Sequence, residues 1–207
     1  VLIAKPSIKK ALSIFHLNKR YTIVTLELPE AQTIIDNSDC LHGEAEVLAA
    51  LDRMAEAMTA DLQYANPIVY TVMNGGLIVS GHLLPRLRFP LEVSYMHATR
   101  YRKETSGGML DWKVKPQESM KGRVVVIVDD ILDEGHTLAA ILEFCREQGA
   151  KEVRVAVLVD KKHDRKAVGV TADYVGLEVE DRFLFGCGMD YQGYWRNTLA
   201  IYAVKGM

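Results

Sequence analysis

The sequence predicts an α/β fold with a mainly parallel central sheet flanked by helices. Three short runs, IVYTVM (68–73), VVVIV (124–128) and VRVAVLV (153–159), are apolar at nearly every position. Such runs match strands covered on both faces, as in parallel sheets, rather than strands with one wet face. Stretches of helical periodicity lie between them, so strand and helix alternate along the chain.

The elements follow in order. Residues 22–28 (TIVTLEL) read as a strand in an N-terminal appendage. Residues 44–64 read as a helix, because Val47, Leu48, Leu51, Met54, Ala55, Met58 and Leu62 recur at helical spacing, and Asn66-Pro67 breaks it. The strand 68–73 runs into Asn74-Gly75-Gly76. A second apolar helix covers about 77–88, with Pro85 placed to end or kink it. LEVSYMHAT (91–99) is the next strand. The polar stretch YRKETSGGMLDWKVKPQE (101–118) holds Gly107-Gly108 and reads as a loop long enough to serve as a mobile lid. The strand 124–128 is followed by an amphipathic helix, 137–148, with Gly149 where a helix-ending glycine belongs. After the strand 153–159 come short β-rich pieces at 173–179 and 183–204.

Length and composition exclude several classes. A chain of 207 residues, 49% hydrophobic and 25% charged, suits one globular domain with a substantial core. A formal net charge of -2 gives no bulk basic surface for nucleic acid. Cys40, Cys145 and Cys187 are scattered without CxxC spacing, which fits a reducing compartment and neither a disulfide framework nor a structural zinc site. No apolar run approaches the ~18 residues of a membrane span. The N-terminal VLIAKPSIKKALSIF lacks the layout of a signal peptide. A cytoplasmic protein is expected, with neither a nucleic-acid nor a membrane partner.

The chemistry concentrates in VVVIVDDILDEGHTL (124–138). Ligands of open parallel sheets bind beyond the carboxyl ends of the strands, where Asp129 and Asp130 stand. Buried carboxylates need cations, hydroxyls or water as partners. The following DEGHT (133–137) leads straight into a helix. Helix N-terminal N–H groups, a glycine free to take positive φ and a threonine hydroxyl together form an anion cradle suited to a phosphate. One short segment thus offers acceptors for a sugar diol and donors for a phosphomonoester, and a ribose 5-phosphate presents both. Paired aspartates after an apolar strand also occur in response-regulator pockets and P-loop metal sites, but no GxxxxGK[ST] is present and a response regulator needs no such cradle.

This stretch resembles the phosphoribosyl pyrophosphate signature of type I phosphoribosyltransferases. MNGG (73–76), Arg100-Tyr101, LVDKK (158–162) and DRFLFGCGMDYQGYWR (181–196) extend the resemblance to the hypoxanthine-guanine branch, from about residue 66 to the C-terminus. The resemblance implies a type I phosphoribosyltransferase fold in a single domain. Its core would span about 43–180, its hood about 1–40 and 181–207, and its lid about 100–118. It implies an enzyme that transfers 5-phosphoribosyl from phosphoribosyl pyrophosphate to hypoxanthine or guanine, giving IMP or GMP and pyrophosphate, with magnesium as cofactor. Asp129 and Asp130 would hold the ribose hydroxyls and metal. Asp133 would be the general acid/base near purine nitrogen 7, and Glu134, Gly135, His136 and Thr137 the 5-phosphate loop, with His136 a spacer. Lys161 would donate to the purine 6-oxo group, Phe183 stack on the ring and Leu184 touch the base edge through its backbone. Asp190 would order a second magnesium beside the purine, and Arg196 would contact pyrophosphate with Asn74 and Gly75. A cis Met73-Asn74 bond is implied in the same loop.

Two positions depart from the family pattern. Asn74 stands where several members carry Lys or Arg, and Arg100-Tyr101 replaces the usual Ser-Tyr of the lid. Cys187 is read as a small core residue. A xanthine-preferring enzyme and a non-catalytic phosphoribosyl pyrophosphate sensor are the alternatives. A lysine has donors only, so Lys161 disfavours adenine, which presents a donor amine at the same place. The resemblance also implies a homodimer or homotetramer, and His82 and Arg86 on the apolar helix 77–88 fit either interface or core.

Overall fold

The structure, a computed structural model, describes residues 28–100 and 110–206. A six-stranded sheet has the order β4-β3-β2-β5-β6-β7. Its strands are β2 (Ile68–Val72), β3 (Glu92–Arg100), β4 (Leu110–Val114), β5 (Val124–Leu132), β6 (Glu152–Lys162) and β7 (Tyr174–Glu180). Every pairing is parallel except that of β3 with the edge strand β4. A separate three-stranded antiparallel sheet joins β1 (Ser38–His42) to β9 (Ile201–Val204) and β8 (Leu184–Phe185), so the two ends of the described chain meet. The Arg182 guanidinium ties them further, donating to Asp39 at 2.7 Å and to the Val204 carbonyl.

The apolar runs become strands because both faces are covered. β2 is buried at all five positions and β5 from Val124 to Val128. Each fully buried Val or Ile contributes on the order of 1.5–3 kcal/mol, so a charge placed at Val126 would break the sheet. Alternate residues feed two cores. Val69, Val126 and Val128 pack with α2 (Glu44–Leu62) and α3 (Gly76–Leu83). Ile68, Tyr70, Val125 and Ile127 pack with α4 (His136–Glu147) on the other face. The crossovers β2-α3-β3 and β5-α4-β6 therefore wind to opposite sides, and the strand order reverses between β2 and β5. In open α/β sheets that switch point is where a crevice forms.

Several boundaries differ from the sequence reading. Leu28, expected in a strand, opens α1 (Leu28–Thr33), while residues 22–27 lie outside the described residues. The helix expected over 77–88 stops at Leu83 and tightens into a 3-10 turn, Leu84–Arg86, where Pro85 cannot supply the next α-helical N–H. The Arg86 side chain then fastens this turn to α2 through Asp52 at 2.6 Å. The stretch 101–118, expected as a continuous loop, contains β4. Its residues LDWKV are too polar to read as a buried strand, but Trp112 packs on Phe144 of α4 with ring centroids 4.8 Å apart.

Candidate active site

β5 outruns β2. The pairing with β2 ends at Thr71 opposite Val128, whereas β6 stays paired to Leu132. Asp129 and Asp130 therefore sit in ordered strand with one flank open at the crevice, rather than beyond the strand end. Asp130 is 7% exposed. Burial pushes both carboxyls above the usual carboxylate range, and Asp129 is raised further by the charge of Asp130. The open flank is filled by the loop after β2, which carries a cis Met73-Asn74 peptide. A Cβ at Gly75 would overlap the Asp130 carboxylate, and one at Gly188 would overlap the Gly75 carbonyl. Glycine is needed at both points so that three backbone segments can close around Asp130.

After β5 the chain turns at Gly135, with φ +73°, and enters α4 at His136. A Cβ there would press on Leu132. Gly135, His136, Thr137 and Leu138, at the start of α4 where backbone N–H groups lack intrahelical partners, line the crevice. The cleft has a volume of about 660 Å³. Its walls are Asn74 and Gly75, Asp129 and Asp130, residues 133–137 and Arg196, and the β3–β4 hairpin adds His97 and Lys113. A smaller cavity of about 200 Å³ adjoins it, bounded by Lys161, Phe183, Leu184 and Asp190. Asp130, Ile131, Asp133 and Arg196 border both spaces. A groove of about 790 Å³ between α2 and Arg86–Arg88 is larger, but no strand end or glycine loop converges on it.

In the smaller cavity Lys161 is 8% exposed. Its ammonium lies 2.9 Å from Asp133 Oδ2 and 3.5 Å from Asp181 Oδ1. The other Asp133 oxygen, Oδ1, is 2.7 Å from His163 Nε2. Burial alone would raise the Asp133 carboxyl, but hydrogen bonds from Lys161 and His163 outweigh it and hold the group below its ordinary value. Arg165 donates through both terminal nitrogens to Asp181, at 2.7 and 3.1 Å, and brings that carboxyl down to about 2. Phe183 is 44% exposed and lines this cavity, its ring perpendicular to that of Tyr191 with centroids 5.7 Å apart. Asp190 binds Arg196 and accepts the Gly193 N–H at 2.7 Å. Arg196 also donates to the Gly188 carbonyl.

The sequence-predicted residues thus converge, apart from two. Tyr101 lies outside the described residues, and Arg100 is described only as the last residue of β3. Sequence reasoning missed His163, Asp181, His97 and Lys113. His163 had a signal, since it stands two residues after Lys161 and alternate residues of an extended chain share a face. Lys113 had none, because its placement depends on pairing the unread strand β4.

Residues 38–192 match the family model described as "Phosphoribosyl transferase domain". The chain belongs to the phosphoribosyltransferase family. The hypoxanthine-guanine phosphoribosyltransferase of Bacillus subtilis (strain 168) is 32% identical over 171 residues, 82% of this chain and 94% of that one. The hypoxanthine-guanine-xanthine phosphoribosyltransferase of Tritrichomonas foetus is 28% identical over 178 residues, 86% of this chain and 97% of that one. Among solved structures, a hypoxanthine-guanine-xanthine phosphoribosyltransferase aligns with a TM-score of 0.75 at 27% identity, covering 82% of this chain and 99% of its own. A hypoxanthine phosphoribosyltransferase from Staphylococcus aureus shares the fold with a TM-score of 0.78 at 24% identity, covering 84% and 95%. The resemblance read from VVVIVDDILDEGHTL and the C-terminal strips therefore holds in sequence and in fold. In this phosphoribosyltransferase the signature occupies β5, the turn at Gly135 and the start of α4.

Proposed function

We propose that this phosphoribosyltransferase is a purine salvage enzyme that transfers 5-phosphoribosyl from phosphoribosyl pyrophosphate to hypoxanthine and guanine. The observation that carries the reading is the buried ammonium of Lys161 at the wall of a small cavity beside the larger cleft. An ammonium has three hydrogens and no acceptor. Asp133 and Asp181 engage two, which leaves one for a 6-oxo group and nothing for the amine of adenine. In the reaction the ribose C1–oxygen bond to pyrophosphate breaks and the bond from C1 to purine nitrogen 9 forms. The pyrophosphate leaves with the electron pair, and the proton on nitrogen 7 passes to Asp133.

Each site residue then has a role. The N–H groups at residues 134–137 and the Thr137 hydroxyl bind the 5-phosphate. Phe183 stacks on the base, and Leu184 and Asp190 border its edge. Asn74, Gly75 and Arg196 face the pyrophosphate, with Asn74 contributing no charge of its own. A lid beginning at Arg100 and Tyr101 is proposed, of which residues 101–109 lie outside the described residues and 110–114 are the edge strand β4; exclusion of water by it would protect an oxocarbenium-like transition state. The hood is the three-stranded sheet with its flanking segments, and the core is the six-stranded sheet.

The donor set suits magnesium. Asp129, Asp130 and Asp190 offer only carboxylate oxygens, hard ligands for a hard cation. The buried, mutually repelling pair on β5 is a place where a cation is electrostatically favoured. Asp129 and Asp130 would hold one ion and Asp190 a second. Bound ions supply positive charge for the departing pyrophosphate.

No helix among the described residues is long and apolar enough to cross a membrane, in keeping with the cytoplasmic placement we propose. A homodimer or homotetramer is proposed as well. Val93 and Tyr95, 58% and 51% exposed, share the sheet face that α3 covers at β2, and Leu77 of α3 is 51% exposed. The deciding experiment is a spectrophotometric assay with phosphoribosyl pyrophosphate, magnesium and each of hypoxanthine, guanine, xanthine and adenine. Turnover of hypoxanthine or guanine with adenine inert is expected. A preference for xanthine would reassign the substrate, and no turnover with any base would overturn the enzyme reading.

A further inference from the structure

We propose that His163 is a positioning residue for phosphoribosyl transfer, fixing the Asp133 carboxylate in ligand-free and base-bound states alike through a hydrogen bond donated by its Nε2. This rests on the function proposed above and adds a residue that the signature does not contain.

The ring's orientation follows from its two contacts. Nδ1 accepts the backbone N–H of Arg165 at 3.1 Å. An accepting ring nitrogen carries no hydrogen, so the hydrogen of the imidazole is on Nε2. Nε2 lies 2.7 Å from Asp133 Oδ1, and a carboxylate accepts that hydrogen. The His163 side chain is only 4% exposed, so water does not compete for either contact. The turn 163–165 thus sets the tautomer, and the tautomer makes His163 a donor toward Asp133.

The two oxygens of Asp133 are held differently. Oδ2 is held by Lys161, on a flexible four-carbon stem whose ammonium must also serve Asp181 and the base. Oδ1 is held by a buried ring braced against its own backbone. When a base draws on Lys161, the bond to His163 remains and keeps the carboxylate plane aimed at the cavity. A proton acceptor must stay within hydrogen-bond reach of its proton, and a displacement of about 1 Å costs on the order of 10²-fold in rate.

A metal-site reading of the same cluster fails. Ligand atoms of Asp133, His163 and Asp181 lie within 4.8 Å of one another. The cation among them is the Lys161 ammonium, which contacts both carboxylates.

The test compares wild type, His163→Gln and His163→Ala in the hypoxanthine assay, with histidine ¹⁵N NMR of the wild type. The amide of glutamine can place an N–H donor near the position of Nε2, and alanine cannot. Loss of one hydrogen bond to a charged group is worth roughly a tenfold or larger factor. His163→Ala is therefore expected to lower kcat about tenfold or more, with KM for phosphoribosyl pyrophosphate unchanged, and His163→Gln to recover most of it. The NMR spectra are expected to place the ring hydrogen on Nε2. Equal losses in the two variants, an unchanged kcat in His163→Ala, or a hydrogen on Nδ1 would overturn the proposal. An inactive wild type would instead remove the reading on which it rests.

Discussion

Lys161 Nζ stands 2.9 Å from Asp133 Oδ2, so the cation that would read the purine and the carboxylate that would take its proton share one hydrogen bond. A buried donor rejects a partner that is itself a donor, because both groups then lose their water and gain nothing. Replacing Lys161 by glutamine supplies an amide oxygen that can accept from the adenine amine. We expect Lys161→Gln to narrow the hypoxanthine-over-adenine preference by about tenfold or more, measured as the ratio of kcat/KM for the two bases. A ratio equal to that of wild type would place purine selection elsewhere.

The same bond sets a pH dependence. Asp133 is held below the ordinary carboxylate value of ~3.9 because donation from Lys161 and His163 outweighs the effect of burial. A folded-state value below the unfolded one contributes stability above the unfolded value and loses it as pH falls through the folded one. The Asp133 side chain is 43% exposed, so screening keeps the contribution to about 1 kcal/mol or less. Asp133→Asn should therefore unfold at a slightly lower temperature than wild type near neutral pH. The gap should close as the pH is taken below about 4, as read by thermal unfolding across that range. A gap that stays constant would point to packing rather than charge.

Much of this site was legible because its parts sit on strand ends. An apolar run followed by two aspartates and a glycine turn places Asp129, Asp130 and Gly135 without knowledge of the rest of the sheet. The position of Lys161 followed from the next parallel strand, which pairs residue by residue with β5 up to Leu132 and Asp160. What stayed hidden depends on contacts distant in sequence. The LDWKV edge strand owes its order to Trp112 against Phe144, and Lys113 reaches the cleft only through it. His163 was missed for another reason, although its place two residues after Lys161 carried a signal. It looks like one polar residue among the charges of DKKHDRK until Arg165 is seen to turn its amide back onto the ring.

The cysteines separate cleanly by environment. Cys40 is exposed, while Cys145 and Cys187 are buried. Burial pushes both of the latter thiols up to about 12, Cys187 being raised further by Asp130. The thiolate is the reacting form, so burial and a raised value act together against modification. A disulfide reagent at neutral pH should label one thiol rapidly in the native protein and all three after denaturation. Rapid labelling of Cys187 in the native state would show that the GCG loop at 186–188 opens away from Asp130.

Gly75 and Gly81 lie six residues apart in sequence and would respond oppositely to an added Cβ. At Gly75 a Cβ would overlap the carboxylate of Asp130, a short side chain fixed to a central strand that has no room to retreat. At Gly81, inside α3, a Cβ would meet nothing within 4 Å. Gly81→Ala therefore removes only backbone freedom of the unfolded chain and should stabilise the protein by about 0.4–1 kcal/mol without changing kcat or KM. Gly75→Ala must displace either the loop at 73–76 or Asp130. We expect it to raise KM for phosphoribosyl pyrophosphate and lower kcat by about 10²-fold, the scale of a roughly 1 Å misplacement. Steady-state kinetics and thermal unfolding of the two variants side by side measure both effects. A Gly75→Ala enzyme with wild-type kinetics would mean that the loop after β2 does not need its close approach to Asp130.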